Sequence, residues 1–167
     1  FVCFSDSKVP DAQAGAEVMM NSLIAGLSGV NLIHDCGYLA GGSVGSMEMA
    51  VICNEIAGMV YRIVKGVSVD DESLAVDVIH EVGPGEHFLS HKHTLKHVKD
   101  EIYIPWIFDR TSEVTWVKAG KKDISVIARE KVKKILKEHQ PEPLPKDVKE
   151  KLREIVKKAE KELVKSR

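Results

Sequence analysis

Apolar positions along the chain follow two periods. The first four residues, FVCF, are a continuous apolar run that predicts a short buried strand. After the polar stretch Ser5, Asp6, Ser7 and Lys8, residues Ala16, Met19, Met20, Leu23, Ile24 and Leu27 recur every three or four positions. That spacing predicts a helix capped by Asp11 and stopped at Gly29. The run VNLIHD (30–35) predicts a second strand. Strand, helix, strand is a βα repeat, whose strands lie parallel through a right-handed crossover. A glycine-rich loop from Cys36 to Ser46 follows. A long helix then carries Met49, Ile52, Cys53, Ile56, Met59, Val60, Ile63 and Val64 on one face, with Gly66 beyond its end.

Further along, an Asp70/Asp71 cap opens a helix with Leu74, Ala75, Val78, Ile79 and Val82, closed by Gly83-Pro84-Gly85. The histidine-rich stretch after it reads as loop into helix, with Ser90 or Thr94 as cap. Residues 103–110 read as extended or irregular, because Pro105 has no amide hydrogen and disfavours helix at Ile104. Ile124, Ile127, Ala128, Val132, Ile135 and Leu136 mark another helix; the linker at 140–145 breaks it. Val148, Leu152, Ile155, Val156, Ala159 and Leu163 mark the last. The expectation is an α/β chain with two short parallel strands, about six helices and a helix-rich C-terminus. Two parallel strands make no stable sheet alone. Phe1 also opens directly into an apolar run without an initiator Met. Both features predict a piece of a longer protein.

Composition narrows this reading. The 167 residues are 44% hydrophobic and 29% charged, which suits a globular core and excludes disorder. No apolar run reaches the ~18 residues of a membrane-spanning helix. Three cysteines without CxxC spacing predict reduced thiols and a cytoplasmic setting. The net charge of −1 hides an asymmetry: residues 118–167 hold 17 Lys+Arg against 9 Asp+Glu, and the first 117 hold 7 against 16. The basic residues alternate with Glu at helical spacing, as in Glu150, Glu154 and Lys158, with no aromatic interleaved. This predicts solvated helix surfaces rather than a nucleic-acid interface. The expected division is βα units over 1–117 and a basic helical pair over 118–167 packing on them.

In a βα architecture a ligand faces the C-terminal ends of the strands. Two loops qualify there. One carries Asp6, Ser7 and Lys8. The other carries His34, Asp35 and Tyr38, and continues into Gly41 and Gly42, where bare backbone admits close approach. Against this stands a purely structural reading, with Asp6 and Asp11 as helix caps and His34 hydrogen-bonded in the core. The glycine loop fits neither a GxGxxG nor a GxxxxGK[ST] phosphate motif. His93 and His97 are four apart and share a helix face, with His87 and His91 nearby. However, His80-Glu81 continues as Val82-Gly83-Pro84, so no HExxH exists and no metal is expected. No GxSxG or reactive-thiol signature supports nucleophilic hydrolysis, and no catalytic residue is assigned.

Several motifs in order, SDSKVPDAQAG, NLIHDCGYLAGG, SMEMAVICNEIAGM, GPGEHFLSHKHTL and PWIFDR, resemble the C-terminal third of the trimethylamine methyltransferase family, over residues 1 to about 140. The resemblance implies a TIM (β/α)8 barrel, of which this chain is the C-terminal part. It also implies methyl transfer from trimethylamine, or from quaternary amines such as glycine betaine, to the cobalt of a corrinoid carried by a separate corrinoid protein. No cofactor is then bound by the chain directly. Family members that use trimethylamine carry the amber-encoded residue pyrrolysine. Every letter here is an ordinary amino acid, so either this is a relative without pyrrolysine or that residue precedes Phe1. On this reading Asp6, Asp35 and Tyr38 face a cationic headgroup, with Trp106 and Phe108 further off. Lys8 or His34 meets a substrate carboxylate. The isolated piece is expected to be inactive. The alternative expectation is a non-enzymatic, self-associating scaffold that pairs with another copy or with a separate N-terminal half-barrel.

Overall fold

The structure, a computed structural model, describes residues 3–164; Phe1 and Val2 of the expected first strand lie outside the described residues. The chain divides into two compact units, Phe1–Lys134 and Ile135–Arg167.

The first unit is organised by two helices. Helix α1 (Ala12–Leu27) starts at Asp11, whose carboxylate accepts the Ala14 amide at 2.9 Å, as the sequence predicts. Helix α2 (Met47–Lys65) starts at Ser46, whose hydroxyl accepts the Met49 amide, and ends at Gly66 with φ 72°. Their seam is built from small side chains. Ala14, Val18, Ser22 and Ala25 are the buried residues of α1, and a Cβ on Gly26 would stand 3.0 Å from both Val60 and Val64 of α2. The larger apolar residues assigned to the helix core from sequence behave differently. Met19 and Leu23 are partly buried, but Met20, Ile24 and Leu27 are 57%, 58% and 64% exposed. On α2 the expected face holds in part: Met49, Ile52, Cys53, Ile56 and Val60 are buried and Met59 partly so, while Ile63 and Val64 are exposed.

Among the described residues the predicted pair of parallel strands does not form. Residues 30–35 form no strand, and Val30 and Leu32 are exposed. What remains of parallel pairing is a single bridge, Phe4 with Tyr38, flanked by Cys3 N–H donating to the His34 carbonyl and Ser5 N–H donating to the Tyr38 carbonyl. A parallel ladder gains stability from a row of partners, and the further bonds between these segments, from the Ala40 and Gly41 amides, fall in the turn after Tyr38 and not in residues 30–35. The sheet that does form is an antiparallel hairpin of β1 (Tyr38–Leu39) and β2 (Val44–Gly45) around the 3₁₀ turn Ala40–Gly42. It lies inside what the sequence predicts as loop. Gly37 fixes its base: φ is 89°, its carbonyl accepts the Ser46 amide, and a Cβ would lie 2.9 Å from the Ala50 Cβ.

Eight α-helices occur among the described residues, two more than the expected six. The helix expected after Asp70 is split. α3 (Asp71–Leu74) carries a capping box of Asp70 and Ser73, then Ala75 turns left-handed at φ 51° before α4 (Val76–Val82). Helix α5 (Lys92–Glu101) is capped by His91, whose Nδ1 accepts the His93 amide, and not by Ser90 or Thr94; the Thr94 hydroxyl donates instead to the Phe88 carbonyl. The short α6 (Glu113–Lys118) is the unpredicted addition, and residues 103–110 are irregular as expected. In α7 (Ile124–Glu138) Ala128 is fully buried, Ser125 donates to the Pro10 carbonyl, and Arg129 pairs with Glu48 at 3.1 Å. In the second unit, α8 (Lys146–Leu163) follows the 140–145 linker, with Leu152, Ile155 and Val156 exposed.

The 103–107 segment is anchored by Glu55, which lies in the apolar face of α2 and is 0% exposed. Its carboxyl group accepts the Tyr103 hydroxyl at 3.0 Å, the Trp106 amide at 2.9 Å and the Ile107 amide at 2.8 Å. Burial, the hydrogen bond to Glu55 and its charge push the Tyr103 phenol up to about 12. The ring lies against Gly58, where a Cβ would fall 2.5 Å from the hydroxyl. Lys131 stands 4.7 Å over the Trp106 ring.

Glu55→Ala strands two buried amides and a hydroxyl, and should cost about 3 kcal/mol or more in urea unfolding. Tyr103→Phe, which removes one donor and keeps the packing, should cost about 1 kcal/mol. Gly37→Ala, strained by its positive φ and by Ala50, should cost about 2 kcal/mol. A Glu55→Ala midpoint equal to that of Tyr103→Phe would contradict the anchoring role.

Candidate functional site

The two loops singled out in the sequence meet. Beyond the Phe4–Tyr38 bridge, the Ser7 carbonyl accepts the Ala40 amide at 2.8 Å and the Ser5 carbonyl accepts the Gly41 amide at 3.2 Å. Residues 3–7 and 34–41 are thereby laced along their length by backbone bonds. Side chains alternate along the first strip: Ser5 and Ser7 are buried, Asp6 and Lys8 exposed.

The inward serines hold the loop. The Ser5 hydroxyl donates to Glu17 of α1 at 2.6 Å and accepts the Ser7 amide, while Ser7 donates to the Val9 carbonyl. The same Glu17 oxygen accepts the Asp6 amide at 2.9 Å, and the other accepts Gln13. The Ser5 hydroxyl, then Gln13 and the Asp6 amide, hold the Glu17 carboxyl below its ordinary value. An ionised Glu17 thus ties the loop to the first turns of α1.

The outward groups form a mixed-charge rim. The Asp6 carboxylate lies beside Gly41, 3.4 Å from where a Cβ would be. Lys8 Nζ donates to the Asp6 carbonyl at 2.9 Å, folding back over its own loop. His34 Nδ1 sits 2.9 Å from Asp35 Oδ2, and Asp35 adopts φ 70°, which turns the chain out of the bridge. Tyr38 is half exposed at the start of the hairpin, and a Cβ on Gly42 would meet nothing within 4 Å, so the turn presents open backbone. The structure therefore gathers Asp6, Lys8, Tyr38, Gly41 and Gly42 around one short hairpin with the His34–Asp35 pair at its foot, while Ser7 is turned inward. Trp106 and Phe108 belong to the Glu55-anchored segment.

Three thiols lie behind this rim. Cys53 Sγ donates to the Cys3 carbonyl; both residues are buried, and Cys36 is exposed. The Cys53 thiol and burial push Cys3 up, Cys3 in turn draws Cys53 down, and desolvation raises Cys36 to about 11. The accessible thiol stays protonated near neutrality, in line with the absence of a thiolate signature.

Three of the histidines lie against glutamates. Glu72 of α3 accepts Lys96 Nζ at 2.7 Å and lies 3.0 Å from His97 Nε2; His91 lies 3.4 Å from Glu81. Lys96 first, then His97, hold the Glu72 carboxyl down to about 2.

Sequence reasoning missed Glu17, Glu55 and Glu72. Glu55 did carry a signal, a carboxylate inside an otherwise apolar stripe between Ile52 and Met59. Glu17 and Glu72 carried none, since their partners are 12 and 25 residues away.

Among the described residues, no helix is long and apolar enough to cross a membrane. A family model described as trimethylamine methyltransferase (MTTB) matches residues 2–164. Over 157 residues the chain is 43% identical to trimethylamine methyltransferase MttB of Methanosarcina barkeri (strain Fusaro / DSM 804), covering 94% of this chain and 32% of that protein. It is 40% identical over 157 residues to trimethylamine methyltransferase MttB of Desulfitobacterium hafniense (strain DSM 10664 / DCB-2), with 94% and 32% coverage. It is 39% identical over 160 residues to the glycine betaine methyltransferase of Desulfitobacterium hafniense (strain Y51), with 95% and 33% coverage. The chain thus spans about a third of the length of the curated relatives it matches. Matched over nearly all its residues by the family model, and about two-fifths identical to these relatives, this chain belongs to the trimethylamine methyltransferase family.

Proposed function

We propose that this chain is the C-terminal part of a methyltransferase that moves a methyl group from a tri- or quaternary methylamine to the cobalt of a corrinoid carried by a partner protein. On this reading it contributes a wedge of a TIM barrel and is inactive alone. The observation that carries the reading is the lacing of residues 3–7 to 34–41, which presents Asp6, Lys8, Tyr38 and the Gly41–Gly42 turn on one edge.

The rim is open, and its polar groups are the Asp6 and Asp35 carboxylates, the His34 imidazole, the Tyr38 hydroxyl, the Lys8 ammonium and the backbone of the Gly41–Gly42 turn. These suit the face of a docked corrinoid protein rather than a pocket that holds the ring. When bound, the reduced corrinoid supplies a strong nucleophile, and the chain supplies orientation and charge. The carboxylates of Asp6 and Asp35 and the Tyr38 ring attract a methylated ammonium headgroup. Lys8 accepts a substrate carboxylate where the substrate is a betaine. A quaternary amine leaves neutral without a proton. A tertiary amine needs one, and the His34–Asp35 pair, 2.9 Å apart, is the unit of this rim able to hold and orient it.

A second reading draws on the open faces of α1 and α2. Met20, Ile24 and Leu27, which share one face of α1, are exposed, as are Tyr61 and Ile63 of α2. Surfaces of this kind favour association with another copy or with a separate N-terminal half-barrel. The two readings agree that the chain works in company, and they differ in whether the rim does chemistry.

A chimaera in which this chain replaces the C-terminal third of the Desulfitobacterium glycine betaine methyltransferase tests the first reading. Methylation of the corrinoid, followed by its absorbance change, should be supported by the chimaera and absent with the chain alone. Asp6→Ala and Asp35→Ala should each lower kcat/KM by at least about tenfold, on the order of 1.4 kcal/mol of lost transition-state stabilisation. Unchanged kcat/KM in both variants would remove the rim from the mechanism.

A further inference from the structure

One cluster outside the rim brings metal-ligating atoms together from separate segments. His93 and His97 stand one turn apart on α5, with ring centroids 4.3 Å apart. Both rings turn their Nε2 atoms toward Glu72 in the first turn of α3. His97 Nε2 is 3.0 Å from the Glu72 carboxylate, and His93 Nε2 is 2.7 Å from the Glu72 carbonyl. One ligand atom from each of the three residues lies within 4.8 Å of the others. A surface hollow of about 390 Å³, lined in part by Asp71, Glu72, Asp77 and His93, opens beside them.

We propose that Glu72, His93 and His97 form a binding site for a divalent first-row transition metal, with Zn²⁺ the foremost candidate. The donor set is the argument. Two imidazoles and a carboxylate suit borderline cations, and three protein ligands leave a position for water, here on the side of the hollow. The spacing agrees: atoms bound to one ion at roughly 2.0–2.2 Å lie about 3–3.5 Å from one another, and the His97–Glu72 separation of 3.0 Å already matches. To complete the triangle, His93 Nε2 exchanges the Glu72 carbonyl, 2.7 Å away, for the ion. The helix start is set independently, because His91 caps α5 through Nδ1 and faces Glu81 through Nε2, outside the site. Lys96 Nζ, 2.7 Å from the same Glu72 oxygen, is the cation that a metal must displace. An HExxH search fails here because the third ligand arrives from 21 residues upstream of His93. Bound metal would clasp α3 to α5.

Titrating the full chain with Zn²⁺ by calorimetry, and with Co²⁺ by its visible absorption, tests the site. The expected result is one saturable ion per chain, with binding lost in the His93→Asn/His97→Asn double variant. Glu72→Gln, at an exposed position, should weaken binding at least about tenfold, and serves if the double variant loses helix by circular dichroism. Lys96→Ala should tighten binding roughly two- to fivefold by removing the competing ammonium. If the trio is only an ion-pair tie, Lys96→Ala cannot tighten anything. No saturable binding, binding unchanged in Glu72→Gln, or Co²⁺ spectra dominated by thiolate ligation would each overturn the proposal.

Discussion

The buried residues of α1 are small, Ala14, Val18, Ser22 and Ala25, and where Gly26 faces Val60 and Val64 of α2 a single added Cβ would already be tight at 3.0 Å. A seam of small side chains lets two backbones come close, and it fixes the rotation of α1 about its own axis. With that rotation set, the larger apolar residues Met20, Ile24 and Leu27 face away from α2. The same rotation carries Glu17 to the N-terminal loop, where its carboxylate holds Ser5 and the Asp6 amide. Core, rim and open face thus follow from one helix contact.

The opposite side of α2 depends on a carboxyl group with no access to water. Glu55 gathers Tyr103, Trp106 and Ile107 at hydrogen-bond distance and so folds an irregular segment that has no ladder of its own. Such a group is costly to bury and is stabilising only while every donor stays in place. Three bonds thus pin the 103–107 segment at Tyr103, Trp106 and Ile107 in spite of its irregular backbone.

Helix positions were legible wherever capping residue and apolar period agreed, as at Asp11 for α1 and along α2 to Gly66. Where they misled, a local conformation intervened: Ala75 turns left-handed and splits one expected helix, and His91 replaces Ser90 and Thr94 as the cap of α5. The strands were over-read. VNLIHD has the composition of a buried strand, but a strand exists only through neighbours, and among the described residues only the Cys3 amide reaches across to it, at the His34 carbonyl. Asp6 and Gly41 belong to two loops that the sequence presents separately, and lacing through backbone bonds brings them together. The partners of Glu17, Glu55 and Glu72 are set by tertiary packing, which no local pattern encodes.

If the chain is, as proposed, the C-terminal part of a longer methyltransferase, the outward apolar face of α1 is the surface that the remainder covers. Sedimentation velocity of this chain mixed with the N-terminal two-thirds of the Methanosarcina barkeri relative measures that directly. The account predicts a 1:1 complex that Met20→Asp/Ile24→Asp abolishes. Two independently sedimenting species, with the wild-type chain a monomer, would contradict it.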